Sequence, residues 1–381
     1  MDTEFDVIVI GAGVNGSCAA LSLAKRGKKT LLLEQFPLPH TRGSSHGQSR
    51  IIRLTYEDLL YAQMTKDSYP EWRQLEEETG QQLLIQNGML QICDENSDCV
   101  QRTLDVLQAV NADHRCLSPS ELRKMMPLFD IPDDCIGIHE PGGGTLLASK
   151  CVLALQRVFM ERGGKLRDGE QVVKIEPGQS SVTVTTSKGN YRAKGLILTA
   201  GAWTGPMAMQ LNLKLPLQPT GVHVCYYKLE NPEMGTIENF PSFVRRDSDD
   251  IYGLAAYEYP GLVKICNHYG EKIDPDLRND EPDLENLRYF INKFMTGVES
   301  NPSIVEKCIY TMTPDKHQII DRHPLYPNIA IGAGFCGSGF KMAPITGKIL
   351  ADMVLNEEIA YDISMLSMSR FKDVVTVKSS L

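Results

Sequence analysis

The sequence predicts an α/β protein, α+β overall, in which a discontinuous Rossmann-like dinucleotide-binding domain is joined to a second domain built on a mostly antiparallel sheet. Three observations carry that expectation. The N-terminus reads as strand, glycine turn, helix and strand; apolar runs near residues 172–201 and 328–334 read as strands returning to it; and residues 216–306 alternate short β-like runs with turns. At 381 residues the chain exceeds what one hydrophobic core ordinarily serves, so two lobes are expected.

The opening unit runs from Asp6 to Glu34: the apolar Val7-Ile8-Val9-Ile10, a glycine turn, an Ala/Leu-rich helix, and Thr30-Leu31-Leu32-Leu33-Glu34. Gly11-Ala12-Gly13-Val14-Asn15-Gly16 therefore follows a strand and opens a helix, the context in which the GxGxxG pattern is informative. Gly11 permits the tight turn, Gly13 lets a pyrophosphate approach the backbone, and Gly16 lets helix and strand pack closely, while the helix N-terminus offers unpaired N–H groups. Glu34, ending the second strand, can accept hydrogen bonds from ribose hydroxyls and repels a 2′-phosphate, which disfavours NADP and leaves FAD and NAD open.

Further along, Val172-Val173-Lys174-Ile175, Val182-Thr183-Val184 and Leu196-Ile197-Leu198 read as strands of the same sheet. Residues 90–142 carry Pro, Asp and charged helical turns, closed by the loop Pro141-Gly142-Gly143-Gly144. Val222-His223-Val224-Cys225-Tyr226-Tyr227 reads as a strand of the second lobe, and Leu284 to Phe294 as a helix. Asn328 to Gly334 reads as a strand, followed by a glycine-rich turn and a helix from about Ala343 to Leu355. These boundaries assign 1–89, 143–215 and 307–381 to dinucleotide binding, and 90–142 and 216–306 to the substrate.

Composition excludes several classes. The net charge of -9, without a dense Lys/Arg tract, argues against a nucleic-acid partner. Ten cysteines without a CxxC pair or a close Cys/His cluster argue against a metal site and against a secreted disulfide framework, and place the chain in a reducing compartment. Neither a secretory leader nor a membrane-spanning run is present, so a soluble protein is expected. The closing Ser379-Ser380-Leu381 resembles the Ser-Lys-Leu peroxisomal address without its basic middle residue. No internal repeat or low-complexity segment is found.

The stretch Arg42-Gly43-Ser44-Ser45-His46-Gly47-Gln48-Ser49-Arg50-Ile51-Ile52-Arg53, with Cys308-Ile309-Tyr310-Thr311 and Gly334-Phe335-Cys336-Gly337-Ser338-Gly339-Phe340-Lys341, resembles the monomeric sarcosine oxidase family. The resemblance runs along nearly the whole chain and includes Leu38-Pro39-His40 and Thr313-Pro314-Asp315. It implies FAD, attached covalently through the Cys308 thioether, and a monomer. It also implies that Arg53 and Lys341 hold a substrate carboxylate, that Lys264 activates oxygen, that His268 and Tyr252 shape the substrate pocket, and that His46 and Arg50 lie near the flavin ring.

Physical chemistry agrees with those roles. Paired cations fix the carboxylate end of an amino acid, Arg as a fork and Lys as a point charge. A buried ammonium stabilises negative charge developing on dioxygen. The backbone amides of Gly337 and Gly339 can face flavin carbonyls, small residues permitting close approach. Here the chain departs from the family's usual Gly-His-Gly, having Ser338 between the glycines.

The implied reaction oxidises a small secondary amino acid, such as sarcosine, L-pipecolate or L-proline, to an imine, with dioxygen leaving as hydrogen peroxide. A flavin dehydrogenase with a protein acceptor and a catalytically silent flavin-binding protein are the alternatives.

Overall fold

The structure is a computed structural model that describes residues 3–246 and 250–372. Two large sheets organise it. In the first, of eight strands, Glu4–Ile10 lies centrally, parallel to Thr30–Leu33 on one side and to Asn190–Leu198 on the other. Val7, Ile8, Val9 and Ile10 are all buried, as an unbroken apolar strand requires when helices cover both faces. One covering layer is the helix Val14–Lys25, packed against Ala343–Leu355.

The strand Asn190–Leu198 changes character along its length. Its first half alternates buried and exposed residues and pairs antiparallel with Val182–Thr186; its second half is wholly buried and pairs parallel with Ile329–Ala333. Alternation marks a half-solvated edge, and the continuous run Leu196-Ile197-Leu198 marks entry into the core.

The second sheet has nine strands, antiparallel except where Ser242–Arg245 runs parallel to Met89–Asp94. Residues 90–142 contribute more than helical turns. Met89–Asp94, Arg115–Leu117 and Cys135–Glu140 are strands of this sheet, interleaved with the helices Asp98–Ala109 and Pro119–Met125. The latter helix begins in a capping box in which Ser118 and Glu121 satisfy each other's backbone N–H groups.

The strand Ile304–Met312 pairs with Gln218–Lys228 from Ile304 opposite Tyr226 to Met312 opposite Gln218. Cys308 thus stands in the second sheet, although the stretch from residue 307 reads in sequence as a return to the first lobe. The alternating burial of Ile304–Met312 continues the antiparallel pattern and explains the placement.

A three-stranded sheet of Ser49–Ile52, Gly144–Leu147 and Leu84–Ile85 lies between these parts of the chain. Beside it the helix Leu59–Thr79 ends at Gly80, whose φ of 65° is the left-handed conformation that stops a helix. Its fully buried Trp72 donates its indole N–H to the Lys341 carbonyl at 3.0 Å.

Among the described residues no helix is long and apolar enough to cross a membrane, and no His/Cys/Asp/Glu group has metal-binding spacing. All ten cysteines are free thiols. The closing Ser379-Ser380-Leu381 lies outside the described residues.

Candidate active site

A cavity of about 790 Å³ runs from the first glycine turn to the last. Gly11, Gly13, Glu34, His46, Arg50, Gly337 and Gly339 all line it. Gly11 has φ +98°, and a Cβ there would stand 2.5 Å from the Thr199 carbonyl oxygen, so only glycine makes this turn. Gly16 does not line the cavity; a Cβ on it would collide with the Gly11 carbonyl oxygen and the Thr199 hydroxyl, so the helix packs this close to the turn only with glycine there.

The Glu34 carboxylate accepts the Ala12 N–H at 3.0 Å and the Phe36 N–H at 3.1 Å, which sets it at the strand end facing the cavity. The Val14 N–H at the helix start meets the Ser45 hydroxyl at 3.0 Å. The glycines and the Glu34 carboxylate that line the cavity fit a dinucleotide, and its volume lies in the range of cofactor pockets.

A second, smaller chamber of about 90 Å³ adjoins it and shares Arg50, Tyr310, Gly337 and Phe340 with the first. Its lining brings together Arg53, Tyr252, Lys264, His268, Cys308 and Lys341, contributed by the second sheet and the loops beside it, the end of the small sheet's strand Ser49–Ile52 and the last glycine turn. Gly337, at φ +77°, forms the shared wall: a Cβ would stand 2.7 Å from the His268 ring and 2.8 Å from that of Tyr310.

Lys264, Arg50 and Arg53 are each anchored by hydrogen bonds. Lys264 Nζ donates to the Ser49 carbonyl at 3.2 Å and to its hydroxyl at 3.4 Å. Arg50 donates to the carbonyls of Ser44 at 2.9 Å and His46 at 2.6 Å, and its guanidinium lies 4.0 Å from Cys308 Sγ. Arg53 Nη1 donates to the Thr55 carbonyl and, at 3.0 Å, to the Thr55 hydroxyl. Arg53 and Lys341 both lie over the Tyr56 ring, 4.6 and 5.5 Å from its centroid. Lys341 Nζ makes no hydrogen bond or ion pair among the described residues.

Crowding these charges in a buried chamber disfavours the cationic forms of Arg53, Lys341, Lys264 and His268. Burial, followed by the Arg246 charge, lowers Arg53 to about 10. Burial and the charges of Arg53 and Arg246 push Lys341 well below an ordinary lysine. Burial and Arg50 lower Lys264. Burial also brings His268 down to about 4, with Arg246, Lys341 and Arg53 adding to the effect and Asp250 opposing it, so its imidazole is neutral at pH 7. An anion entering the chamber relieves this repulsion.

Ser338 lines neither cavity. Its hydroxyl donates to the Phe335 carbonyl at 3.0 Å and accepts from Gln318 Nε2 at 3.2 Å, so it serves the turn itself. Sequence reasoning passed over Tyr310, Phe340, Arg246 and Ser49. Tyr310 was findable, being two residues beyond Cys308 on the same face of one strand. Nothing in its local sequence marks Arg246, which follows the strand Ser242–Arg245.

Fold and site together define the class: a two-sheet oxidoreductase whose dinucleotide groove opens onto a cation-lined chamber sized for a small anion. The chain belongs to the FAD dependent oxidoreductase family, whose family model matches residues 6–353, and within it to the sarcosine oxidases. It is 43% identical over 379 residues to the peroxisomal sarcosine oxidase of Mus musculus, covering 97% of each chain. Against the monomeric sarcosine oxidase of Bacillus sp. (strain B-0618) it is 35% identical, again over 97% of each. Among solved structures, L-proline dehydrogenase from P. horikoshii superposes with a TM-score of 0.85 at 21% identity, over 98% of this chain and 99% of that one, a likeness of fold.

Proposed function

We propose that this protein is an FAD-dependent oxidase of small secondary amino acids, with dioxygen as electron acceptor. The observation that carries the reading is that Arg53, Lys341 and Lys264 line one small chamber, which shares a wall with the dinucleotide cavity. FAD, when bound, supplies the two-electron acceptor for the amino acid and the donor to dioxygen. Gly11, Gly13, Glu34, His46, Gly337 and Gly339 would hold it, Gly16 supporting the turn by packing.

The substrate carboxylate docks between Arg53 and Lys341. Lys341 gains the most: burial and two guanidiniums disfavour its ammonium, and an arriving carboxylate offsets that penalty. The same positive field disfavours a charged substrate amine, so the amine enters in the neutral form that oxidation requires. His268 is neutral beside it and, with Tyr252, bounds the pocket without adding charge. Loss of two electrons and a proton leaves an iminium ion, which releases its second proton to give the imine and hydrolyses in water unless it is cyclic.

Lys264, fixed on Ser49, offers its charge to dioxygen as negative charge develops there. Cys308 is the attachment point for the flavin, and the Arg50 guanidinium lies beside its sulfur. This reading assigns residues 1–89, 143–215 and 307–381 to the cofactor and 90–142 and 216–306 to the substrate, although the strand Ile304–Met312 that carries Cys308 pairs in the second sheet. The names of the relatives support a monomer in the peroxisome.

Stopped-flow reduction over a panel of secondary amino acids, with peroxide measured on aerobic turnover, tests the assignment. Bleaching of the flavin band by sarcosine, L-pipecolate or L-proline, with stoichiometric peroxide, is the expected result. No bleaching by any of them removes the substrate class; bleaching without peroxide points to a protein electron acceptor.

A further inference from the structure

Glu140 ends the strand Cys135–Glu140 and is 1% exposed, a costly place for a carboxylate. Its Oε2 accepts two backbone N–H groups, from Leu54 at 2.7 Å and from Thr55 at 3.2 Å. Its Oε1 is buried and has no hydrogen-bond partner among the described residues. The polar work of the side chain is therefore directed at the two residues that follow Arg53.

Thr55 is in turn the anchor of Arg53, whose Nη1 donates to both its carbonyl and its hydroxyl. The hydrogen bonds form one chain, from the Glu140 carboxylate to Thr55 and from Thr55 to the guanidinium. Arg53 Nε and Nη2 make no hydrogen bond among the described residues, so the tethered fork keeps donors for a ligand.

We propose that Glu140 is a positioning residue for substrate binding, acting through Thr55 to aim Arg53 at the substrate carboxylate. The proposal rests on the assignment of Arg53 to the carboxylate clamp. A carboxylate suits the position because an ionised oxygen accepts two N–H bonds more strongly than an amide oxygen does, and it offsets the Arg53 charge. Burial works the other way, pushing the carboxyl up to about 7 against the Leu54 and Thr55 bonds and the Arg53 charge. Without an acceptor here the Leu54 and Thr55 N–H groups would be buried and unpaired, and the cheapest relief is a shift of the segment that carries Arg53.

The test compares the wild-type holoenzyme with Glu140→Gln, Glu140→Leu and Arg53→Ala. Acetate is the probe, a carboxylate with no amine to titrate, and its Kd is read from perturbation of the flavin spectrum. Reduction by sarcosine then separates Kd from limiting rate.

Glu140→Leu should weaken acetate by roughly tenfold to a hundredfold, the scale of a lost charge-assisted hydrogen bond. Glu140→Gln, which keeps a neutral acceptor and the fold, should weaken it by about three- to tenfold. In both, the limiting reduction rate and the reoxidation rate should stay within about twofold of wild type, a split that general damage to the fold would not give. Should Glu140→Leu fail to fold, Glu140→Gln decides alone. An acetate Kd within twofold of wild type in Glu140→Gln, or a raised Kd accompanied by a fall in both rates, overturns the proposal. If Arg53→Ala also leaves acetate binding unchanged, the clamp assignment falls first and takes this inference with it.

Discussion

Replacing Lys264 with Met separates the two half-reactions most sharply. Methionine roughly matches the length of the lysine stem, so packing along the strand Leu262–Asn267 is retained while the charge is removed. A unit charge about 4 Å from a developing anion is worth ~4 kcal/mol at an effective dielectric of about 20, roughly a thousandfold in rate. Only part of that charge has developed in the transition state, so we expect reoxidation by dioxygen to slow by roughly a hundredfold.

Reduction by the amino acid, which uses Arg53 and Lys341, should change by less than about threefold. Stopped-flow spectroscopy resolves the steps: anaerobic mixing with sarcosine gives reduction, and mixing the reduced enzyme with oxygenated buffer gives reoxidation. The pH profile supplies a second check. Burial, and then the Arg50 charge, depress the Lys264 pKa, so the cation is complete at low pH and lost as pH rises through that depressed value, below the range of a free lysine. Wild-type reoxidation should therefore fall at alkaline pH, whereas the Met variant should be slow and flat. Equal slowing of both half-reactions, or reoxidation within threefold of wild type, would refute the reasoning.

Three further substitutions probe the remaining roles. Cys308→Ala should release flavin into the supernatant on acid precipitation, whereas the wild-type pellet stays yellow; flavin washing out of the wild type would dispose of the thioether. Arg53→Ala should raise the sarcosine Kd by roughly tenfold to a hundredfold, from the loss of a charged hydrogen bond, and an unchanged Kd in stopped-flow titration would remove Arg53 from the clamp. Gly16→Val should leave a protein with little bound flavin, read from the ratio of flavin to protein absorbance, because its side chain would collide with the Gly11 carbonyl oxygen; full flavin content would count against that packing role.

Much of the first lobe is written in local pattern. The strand Glu4–Ile10, the helix Val14–Lys25 and the strand Thr30–Leu33 lie where the apolar run, the glycine turn and the Ala/Leu periodicity put them. So does the helix Ala343–Leu355, whose composition is apolar nearly all round. Residues 90–142 were harder, because Arg115–Leu117 is three residues long with two of them exposed, and so short a strand has no period to read. Its existence depends on the partner Cys135–Glu140, a non-local fact.

The candidate site divides in the same way. Motif residues such as Arg50, Arg53 and Lys341 carry their signal in sequence, and the two cavities bring them together. Glu140, next to the loop at Pro141, has an unremarkable local sequence. Its meaning comes from contact with Leu54 and Thr55, some 85 residues away along the chain.

The four-residue strand Ser49–Ile52 ties these parts together. Ser49 holds the Lys264 ammonium, Arg50 stands beside the Cys308 sulfur, and Arg53 follows at the strand's end; the whole piece is gripped by Gly144–Leu147. Groups that we assign to chemically distinct steps thus share a single mount. A disturbance far from either reactant, such as a bulkier residue at Gly144, where a Cβ would collide with the Ile85 carbonyl oxygen, would tilt that mount and blunt every step at once. On the proposed assignment, amino-acid capture, flavin tethering and oxygen handling can be tuned separately by changing side chains, but they are aligned or misaligned together.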